Sequence, residues 1–202
     1  MHNKPFSESC IQNREPIFAV LQPRLSDCEN LLEIGSGTGQ HAVYFAPSLP
    51  QLVWQTSDRV ENHAAIRAWL DEANGSNIAS PIALDVVRDA WPAGPYDAVF
   101  SANTAHIMPA AAVEAMFAGI GRVLRDQGRF LLYGPFCYDG RHTAPSNLNF
   151  DAWLKQRDPG MGVRDVSWLR ELADQAGMSL EEDVAMPADN RILVWRKADA
   201  DR

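Results

Sequence analysis

The stretch LLEIGSGTGQHAVYFA, residues 31–46, places three glycines within five residues, between a short apolar run and a helix-like run. Glycine-rich turns between a strand and a helix are typical of loops that hold a nucleotide against bare backbone, because glycine carries no Cβ. The run ENLLEIG, 29–35, predicts a buried strand, and GQHAVYFAPSL, 39–49, predicts the helix after it. The stretch therefore predicts the first strand–loop–helix unit of an α/β fold.

The same alternation continues along the chain. Apolar runs predict four more strands, at 51–58, 81–86, 96–103 and 128–136, and amphipathic stretches predict helices at 61–74, 109–124 and 166–176. Two final runs, 179–187 and 191–197, predict a terminal antiparallel hairpin. Strands that alternate with helices favour a mostly parallel sheet. We therefore predict a Rossmann-like α/β fold with a single seven-stranded sheet, helices on both faces and one reversed edge strand.

Neither a repeat nor a linker divides the chain, so one domain is expected over residues 1–202. A helical pattern near the N-terminus predicts a helical cap within 1–28 that covers one edge of the site. Residues 137–164 contain several glycines and prolines and break the rhythm of strands and helices. They predict a long insertion after the fifth strand.

Composition limits the partners. Lys and Arg number 18 against 26 Asp and Glu, a formal charge of -8, which disfavours nucleic acid. No apolar run reaches the length of a membrane helix, and the N-terminus does not resemble a secretory signal. The cysteines, Cys10, Cys28 and Cys137, form no C-x-x-C pair, so we expect reduced thiols, no metal site and a cytoplasmic location.

The spacing of the glycines separates two kinds of nucleotide loop. A dinucleotide fingerprint, G-x-G-x-x-G, that starts at Gly35 and Gly37 requires glycine at position 40. The residue there is Gln40, and the third glycine is Gly39. The phosphate-binding pattern G-x-x-x-x-G-K-[ST] is also absent from the sequence. An NAD-dependent oxidoreductase is therefore the less favoured interpretation.

Polar side chains end the next three predicted strands: Asp58, Asp85 and Asn103. The carboxyl ends of parallel strands meet at one edge of a sheet, where ligands bind. Asp58 follows Gly37 by 21 residues, the place for an acid that accepts hydrogen bonds from ribose hydroxyls. A solvated strand end or the cap of a turn would also explain Asp58 and Asp85, and both alternatives stay open.

The pattern E-x-G-x-G-x-G at 33–39 resembles the nucleoside-binding loop of the class I S-adenosylmethionine (SAM) methyltransferases. From about Lys4 to Lys197 the chain is closer still to the small methyltransferase-like protein 26 family. The resembling segments are N-R-E-P at 13–16, E-I-G-S-G-T-G-Q-H at 33–41, S-D at 57–58, N-T-A-H at 103–106, Y-G-P-F at 133–136, S-N-x-x-F-D at 146–151 and R-D-P at 157–159. The resemblance implies a SAM-binding fold and methyl transfer with S-adenosylhomocysteine as product, and it supplies no substrate.

The resemblance also implies which residues hold SAM: Glu33, Gly35, Gly37, Gly39, Asp58, Asp85, Val86 and Asn103. In such methyltransferases the acid after the third strand contacts the adenine amine and the next backbone amide contacts the ring, which are the roles of Asp85 and Val86. Asn13 and Arg14 are expected to cap the cofactor site, although an exposed helix face would give the same pattern.

Several residues are candidates for the acceptor side. His106 follows Asn103 closely and is a candidate general base; a histidine that orders the loop is the alternative. Tyr133 and Phe136 are predicted to wall the acceptor pocket, unless they are core aromatics. His142, in the insertion at 137–164, is expected to contact substrate or to lie at the surface.

The predicted function is a SAM-dependent methyltransferase with an unidentified small-molecule acceptor, for which 137–164 forms the lid. The fourth predicted strand is followed by Asn103-Thr104-Ala105-His106 and not by the Asn/Asp-Pro-Pro-Tyr/Phe motif of methyltransferases that act on nucleic-acid amines. A SAM-binding regulator without turnover and a protein methyltransferase that acts on a basic partner are the alternatives. The oligomeric state is not predicted.

Overall fold

A computed structural model of the protein describes residues 4–73 and 77–199. The helices are α1 (Glu8–Arg24), α2 (Gln40–Phe45), α3 (His63–Leu70), α4 (Ala110–Val123), α5 (Pro145–Arg157) and α6 (Val166–Gln175). The strands are β1 (Asn30–Ile34), β2 (Val53–Asp58), β3 (Ile78–Ala83), β4 (Tyr96–Ala102), β5 (Leu124–Gly134), β6 (Phe136–Tyr138), β7 (Arg141–His142), β8 (Arg164–Asp165), β9 (Met178–Ala185) and β10 (Arg191–Lys197). Among the described helices none is long and apolar enough to cross a membrane.

Seven strands form the main sheet, in the order β3-β2-β1-β4-β5-β10-β9. The pairs among β1 to β5 are parallel, and β10 is antiparallel to both of its neighbours. The predicted mostly parallel sheet is confirmed. Strand order reverses between β1 and β4, so the loops that follow these two strands flank a crevice at the carboxyl edge.

Alternating side chains on the strands build a core on each face of the sheet. In β5, Phe130 and Leu132 pack with α4 and α6, whereas Leu131 and Tyr133 pack with α1 and α2. The period of two residues in a strand sends neighbouring side chains to opposite faces, and both faces are apolar here. The prediction of helices on both faces is confirmed.

The reversed strand is not at the edge, which corrects the expectation. β10 lies between β5 and β9, and β9 forms the edge. The reason is visible in the burial of the two strands: residues 192–195 of β10 are buried on both faces, whereas most of β9 is exposed or half-buried. A run that is apolar at four consecutive positions needs cover on both sides, so it takes the inner place.

Some predicted boundaries shift. The helix predicted at 39–49 ends at Phe45 and continues as a 3-10 turn, and the helix predicted at 61–74 spans His63–Leu70, with residue 74 outside the described residues. The strand predicted at 81–86 runs over Ile78–Ala83, because Ile78 pairs with Trp54 of β2. Asp85 and Val86 therefore lie in the turn beyond the strand.

The strand predicted at 128–136 is also displaced. It starts at Leu124 and ends at Gly134. Pro135 follows, and since proline has no N–H to donate, it separates the strand from the small sheet β7-β6-β8. Phe136 belongs to that second sheet.

The insertion at 137–164 contains a helix that the sequence analysis did not predict. α5 spans thirteen residues, and its buried residues are Asn147, Asp151 and Leu154. They recur at helical spacing, but two of the three are polar. A search for apolar periodicity therefore cannot detect this helix.

Candidate functional site

The loop after β1 has a backbone that favours glycine at each of its three glycine positions. Gly35, Gly37 and Gly39 have φ of +71°, +60° and +85°, in the left-handed region. A Cβ on Gly35 would lie 2.5 Å from Thr104 Cγ2, in the loop after β4, whereas Gly37 has open space on that side. The loop thus packs closely against the neighbouring strand's loop and presents bare backbone at Gly37.

Asp58, at the end of β2, is buried against this loop. Its Oδ2 accepts a hydrogen bond from the Gly37 N–H at 2.8 Å, and its Oδ1 accepts from the Arg59 N–H at 2.7 Å and from Asn62 Nδ2 at 2.8 Å. A carboxylate has about four lone-pair sites, so Asp58 keeps capacity for a further donor. The structure therefore brings this predicted acid onto the second loop glycine.

Glu33 is the buried acid beneath the loop. Its Oε2 accepts from Ser36 Oγ at 2.8 Å and from Trp54 Nε1 at 3.0 Å. Burial raises the pKa of this carboxyl to about 7, and the charge of Asp58 acts in the same direction. Glu33 therefore titrates near neutral pH, and a cation placed close to it would favour its ionised form.

The N-terminal helix is anchored on α2 beside the loop. Gln40 Oε1 accepts from the Ser7 N–H at 2.6 Å and from Thr38 Oγ1 at 2.9 Å, and Gln40 Nε2 donates to the Ser7 carbonyl at 3.3 Å. His41 Nε2 donates to Asn13 Oδ1 at 2.8 Å, and burial lowers the pKa of His41 to about 4. The glutamine that breaks the dinucleotide fingerprint thus holds the N-terminal segment in place.

The remaining predicted cofactor residues have mixed surroundings. Arg14 lies over the ring of Tyr44, 4.3 Å from its centre, and its buried Nε has no partner among the described residues. Asp85 Oδ1 accepts from the backbone N–H groups of Val87 at 3.0 Å and Arg88 at 3.3 Å, so it caps a turn. Val86, next to Asp85 in this turn, accepts a hydrogen bond from Trp91 Nε1 on its carbonyl at 3.3 Å.

A cavity of about 330 Å³ lies beside the loop after β4. Its walls come from α1, from the loop after β4, from the junction of β5 and β6, from α5 and from the turn between β9 and β10. The lining residues are Ser9, Asn103, His106, Pro135, Asn147, Phe150 and Asn190. Asn103, at the end of β4 and with φ of +58°, lines this cavity, and its neighbour Thr104 packs against Gly35 of the glycine loop.

His106 is buried in the cavity wall, with its ring edge-on to Phe150 at 5.2 Å between centres. Within the described part of the chain no residue hydrogen bonds to its ring. Burial and the nearby charge of Arg164 lower its pKa to about 4, so the imidazole is neutral at neutral pH. Arg164 holds the segment that carries His106, because its guanidinium donates to the carbonyls of Ala105 and Met108.

Three predicted acceptor-side residues stand apart from the lining of this cavity. Tyr133 and Phe136 are buried in the cores on the two faces of the sheet. His142 lies inside the insertion, with Nε2 3.5 Å from Asp151 Oδ2. In residues 4–73 and 77–199 the cavity therefore includes His106 and Asn103 from the predicted set, and not these three.

Five residues that line the cavity have no role predicted from the sequence: Ser9, Pro135, Asn147, Phe150 and Asn190. Asn147 and Phe150 belong to the S-N-x-x-F-D segment, and Pro135 belongs to Y-G-P-F, so the resemblance contained a hint of their importance. Ser9 and Asn190 lie in no recognised motif, and only the fold brings them to the cavity.

The thiols and acids do not add a metal centre to this site. The three cysteines are free, and burial raises the pKa of Cys28 and of Cys137 to about 11. Across the described residues, no group of three or more His, Cys, Asp or Glu is placed to bind a metal ion.

Solved structures share this architecture. The SAM-dependent methyltransferase SibL, in its apo form, matches with a TM-score of 0.79 at 20% identity over 94% of this chain and 56% of that one. Human N-acetylserotonin methyltransferase in complex with SAM matches with a TM-score of 0.79 at 16% identity over 95% and 53%. The mitomycin 7-O-methyltransferase MmcR matches with a TM-score of 0.75 at 19% identity over 86% and 50%.

The chain spans about half the length of these three proteins. At these identities the likeness shows a shared fold, and it confirms the predicted Rossmann-like α/β architecture. At the level of sequence, a family model matches residues 4–197, nearly the whole chain. The protein belongs to the family described as "Protein of unknown function (DUF938)".

Proposed function

We propose that the protein is a SAM-dependent methyltransferase that acts on a small molecule. The observation that carries this proposal is the juxtaposition of two features at the loop after β4, where Thr104 packs on Gly35 and Asn103 lines the cavity. On one side lies the glycine loop with Asp58 bonded to Gly37, and on the other lies a cavity with an unpaired, neutral His106. The names of the similar structures, which are methyltransferases with a SAM complex among them, point the same way.

The residues around the loop fit SAM. The open side of Gly37 lets a nucleoside approach the backbone, and Asp58 keeps a free lone pair for ribose hydroxyls. Glu33 is placed to favour a cationic ligand, since a nearby positive charge would offset the cost of ionising this buried carboxyl. In this proposal Gly35, Gly37, Gly39, Asp58 and Glu33 surround the nucleoside and methionine portions, while Asp85, Val86 and Asn103 complete the crevice.

When bound, SAM supplies an electrophilic methyl group on a positively charged sulfur. The protein then has to align the acceptor and exclude water, which is how proximity lowers a barrier. Asn13 and Arg14 act indirectly in this proposal: Asn13 holds α1 on α2 through His41, and Arg14 covers Tyr44.

His106 receives the acceptor's proton in this proposal. General-base efficiency is highest for a pKa near the working pH, so a base with a pKa of about 4 is weak. A hydroxyl group becomes strongly acidic as it gains a methyl group, and such a weak base then suffices. The neutral ring also accepts a hydrogen bond from the acceptor before reaction, which orients the attacking atom.

The cavity favours a small molecule over a protein surface. Its volume, about 330 Å³, is at the lower end of the range of ligand pockets. An open cavity with unpaired polar atoms also favours turnover over a purely regulatory role. The finer resemblance to the methyltransferase-like protein 26 family, the absence of nucleic-acid binding and a cytoplasmic location are parts of the same proposal.

Calorimetric titration with SAM, S-adenosylhomocysteine and NAD tests the cofactor. We expect heat of binding for the first two; tight NAD binding without SAM binding would contradict the proposal. Asp58→Asn is expected to weaken SAM binding by about 1–3 kcal/mol, because charge-assisted hydrogen bonds to the ribose are lost. Asp71→Asn, on an exposed aspartate after α3, is the matched control and should leave the affinity unchanged.

A second measurement separates binding from chemistry. His106→Gln is expected to keep SAM affinity and to lower turnover of an acceptor by about 100-fold, within the usual range for a lost general base. Unchanged turnover would remove His106 from the reaction. A fall in SAM affinity of the same size would make His106 a cofactor residue instead.

A further inference from the structure

The lining of the 330 Å³ cavity carries no ionised side chain in the described part of the chain at neutral pH. Three of its residues are asparagines, and His106 is neutral there because its pKa is lowered to about 4. The nearby cation, Arg164, is engaged with the carbonyls of Ala105, Met108 and Gly160. A charged ligand would lose hydration here without gaining a counter-charge from the protein.

Two of the asparagines offer a hydrogen-bond acceptor and no donor. Asn147 Nδ2 donates to Thr143 Oγ1 at 2.9 Å and to the Asp189 carbonyl at 3.0 Å, so both of its protons are used. Asn190 Nδ2 donates to the carbonyls of Pro187 at 3.2 Å and Ala188 at 3.3 Å. Rotating either amide would set its oxygen against a carbonyl oxygen, so these orientations are held. Each residue therefore offers its Oδ1 to a ligand.

The insertion adds a flat apolar wall. Phe150 lines the cavity and stacks on Trp153 at 5.9 Å between ring centres, with the two planes 14° apart. The ring of His106 meets Phe150 in an edge arrangement, 5.2 Å between ring centres. A stacked, supported aromatic ring suits a flat ligand body, since rings pack well in offset or edge arrangements.

We propose that the methyl acceptor is an uncharged small molecule with a flat apolar body and at least two N–H or O–H donors. Two of those donors bind Oδ1 of Asn147 and Oδ1 of Asn190, and the body packs on Phe150. This assignment rests on the proposed methyltransferase function, because it treats the cavity as the acceptor site. In this proposal the lid helix α5 and the β9–β10 turn select the acceptor, and the glycine loop takes no part in that selection.

Ligand-observed NMR on the full chain saturated with S-adenosylhomocysteine tests the assignment. Three sets of naphthalene- and quinoline-sized compounds share their ring scaffolds: dihydroxy compounds, their fully O-methylated counterparts, and the matching carboxylates. We expect members of the first set to bind roughly tenfold more tightly than their counterparts, from two hydrogen bonds of ordinary strength. Equal or tighter binding of carboxylates or donor-free compounds would overturn the assignment, as would the lack of any binder in the first set.

Substitutions of the two asparagines test whether the donor-bearing compounds bind in this cavity. Asn147→Leu and Asn190→Ala are each expected to weaken the donor-bearing compounds by about five- to tenfold. Asn149→Leu, on the exposed side of the same helix, is the matched control and should change nothing. Asn147 also ties α5 to the β9–β10 turn, so thermal unfolding is measured for each variant, and Asn190→Ala keeps the test valid if Asn147→Leu is unstable.

Two failures remain distinct. If S-adenosylhomocysteine does not bind the wild-type protein, the proposed function fails before the cavity is tested. If it binds and the two asparagine variants leave compound binding unchanged, only the acceptor assignment fails.

Discussion

The glycine loop and the cavity both adjoin the loop after β4, through Thr104 and Asn103 respectively, and they are built in different ways. The loop is one continuous stretch after β1, and its shape comes from backbone hydrogen bonds and left-handed glycines, joined by Asp58. The cavity is assembled from side chains that come from segments between Ser9 and Asn190. The difference teaches that a loop shaped by backbone conformation can be encoded locally, whereas a cavity lined by side chains draws on the whole chain.

The two regions also differ in how their polar atoms are used. Around the loop, Asp58 and Glu33 accept hydrogen bonds from the protein itself. In the cavity, His106, Asn147 and Asn190 keep atoms without partners among the described residues. These residues line the cavity, so their free acceptor atoms are available to a ligand that enters it.

On the loop side, Gly35→Ala is the substitution with the largest expected loss of stability. The new Cβ clashes with Thr104 Cγ2 at 2.5 Å and meets a φ of +71°, so we expect a loss of about 2–4 kcal/mol of stability and weaker S-adenosylhomocysteine binding. Urea unfolding and calorimetry measure both. Gly140→Ala, at a φ of +73° with open space, should show only the backbone cost of about 1–2 kcal/mol.

A rescue sharpens this prediction. Thr104→Ser removes the methyl group that the new Cβ meets, so it should recover part of the stability lost in Gly35→Ala. If Gly35→Ala and Gly140→Ala lower the free energy of unfolding by the same amount, the close approach to Thr104 is not the reason that position 35 requires glycine.

Glu33, on the loop side, and His106, on the cavity side, are expected to give the stability of the protein opposite dependences on pH. Its pKa of about 7 in the folded protein exceeds its ordinary value of 4.5, so the folded state holds the proton more tightly. The protonated carboxyl therefore stabilises the folded state at low pH. This stabilisation, up to about 3 kcal/mol of the free energy of unfolding, is lost as pH rises from about 4.5 to about 7. His106 and His41 act oppositely, since their lowered pKa values cost stability as pH falls from about 6.5 to about 4.

Urea unfolding of the wild type and of Glu33→Gln across this range isolates the carboxyl. We expect the stability of the variant relative to the wild type to rise with pH through neutrality, while both keep the decline on the acid side. Parallel curves would mean that Glu33 does not titrate near pH 7. SAM affinity should increase with pH in the wild type only.

Arg164→Gln tests the cavity side and has the smallest expected effect on stability, about 1–2 kcal/mol, from hydrogen bonds lost at a half-buried cation. The segment that carries His106 loosens, so acceptor turnover should fall by roughly tenfold while S-adenosylhomocysteine affinity stays unchanged. Loss of the cation also raises the pKa of His106, so the acid limb of the pH–rate profile should shift to higher pH. Arg170→Gln, on an exposed face of α6, is the control; an equal fall in cofactor affinity would contradict a positioning role.

Much of the fold could be predicted because its elements carry local patterns. The apolar runs of β1, β4 and β5 and the spacing of Gly35, Gly37 and Gly39 are visible without any long-range contact. The position of β10 inside the sheet could have been predicted as well, from four apolar residues in succession at 192–195. Helix α5 could not, because Asn147 and Asp151 on its buried face hide the amphipathic pattern.

The sequence by itself determined the strand–loop–helix unit and the acid at Asp58, because backbone conformation and strand ends are local properties. Only the tertiary structure decided that Gln40 anchors the N-terminal segment and that Tyr133 and Phe136 belong to the cores. It also decided that His106 lines one cavity together with Asn147, Phe150 and Asn190. A cavity is a property of elements packed together, and its lining carries no period along the chain. The loop could therefore be found in the sequence, and the cavity became visible only in the fold.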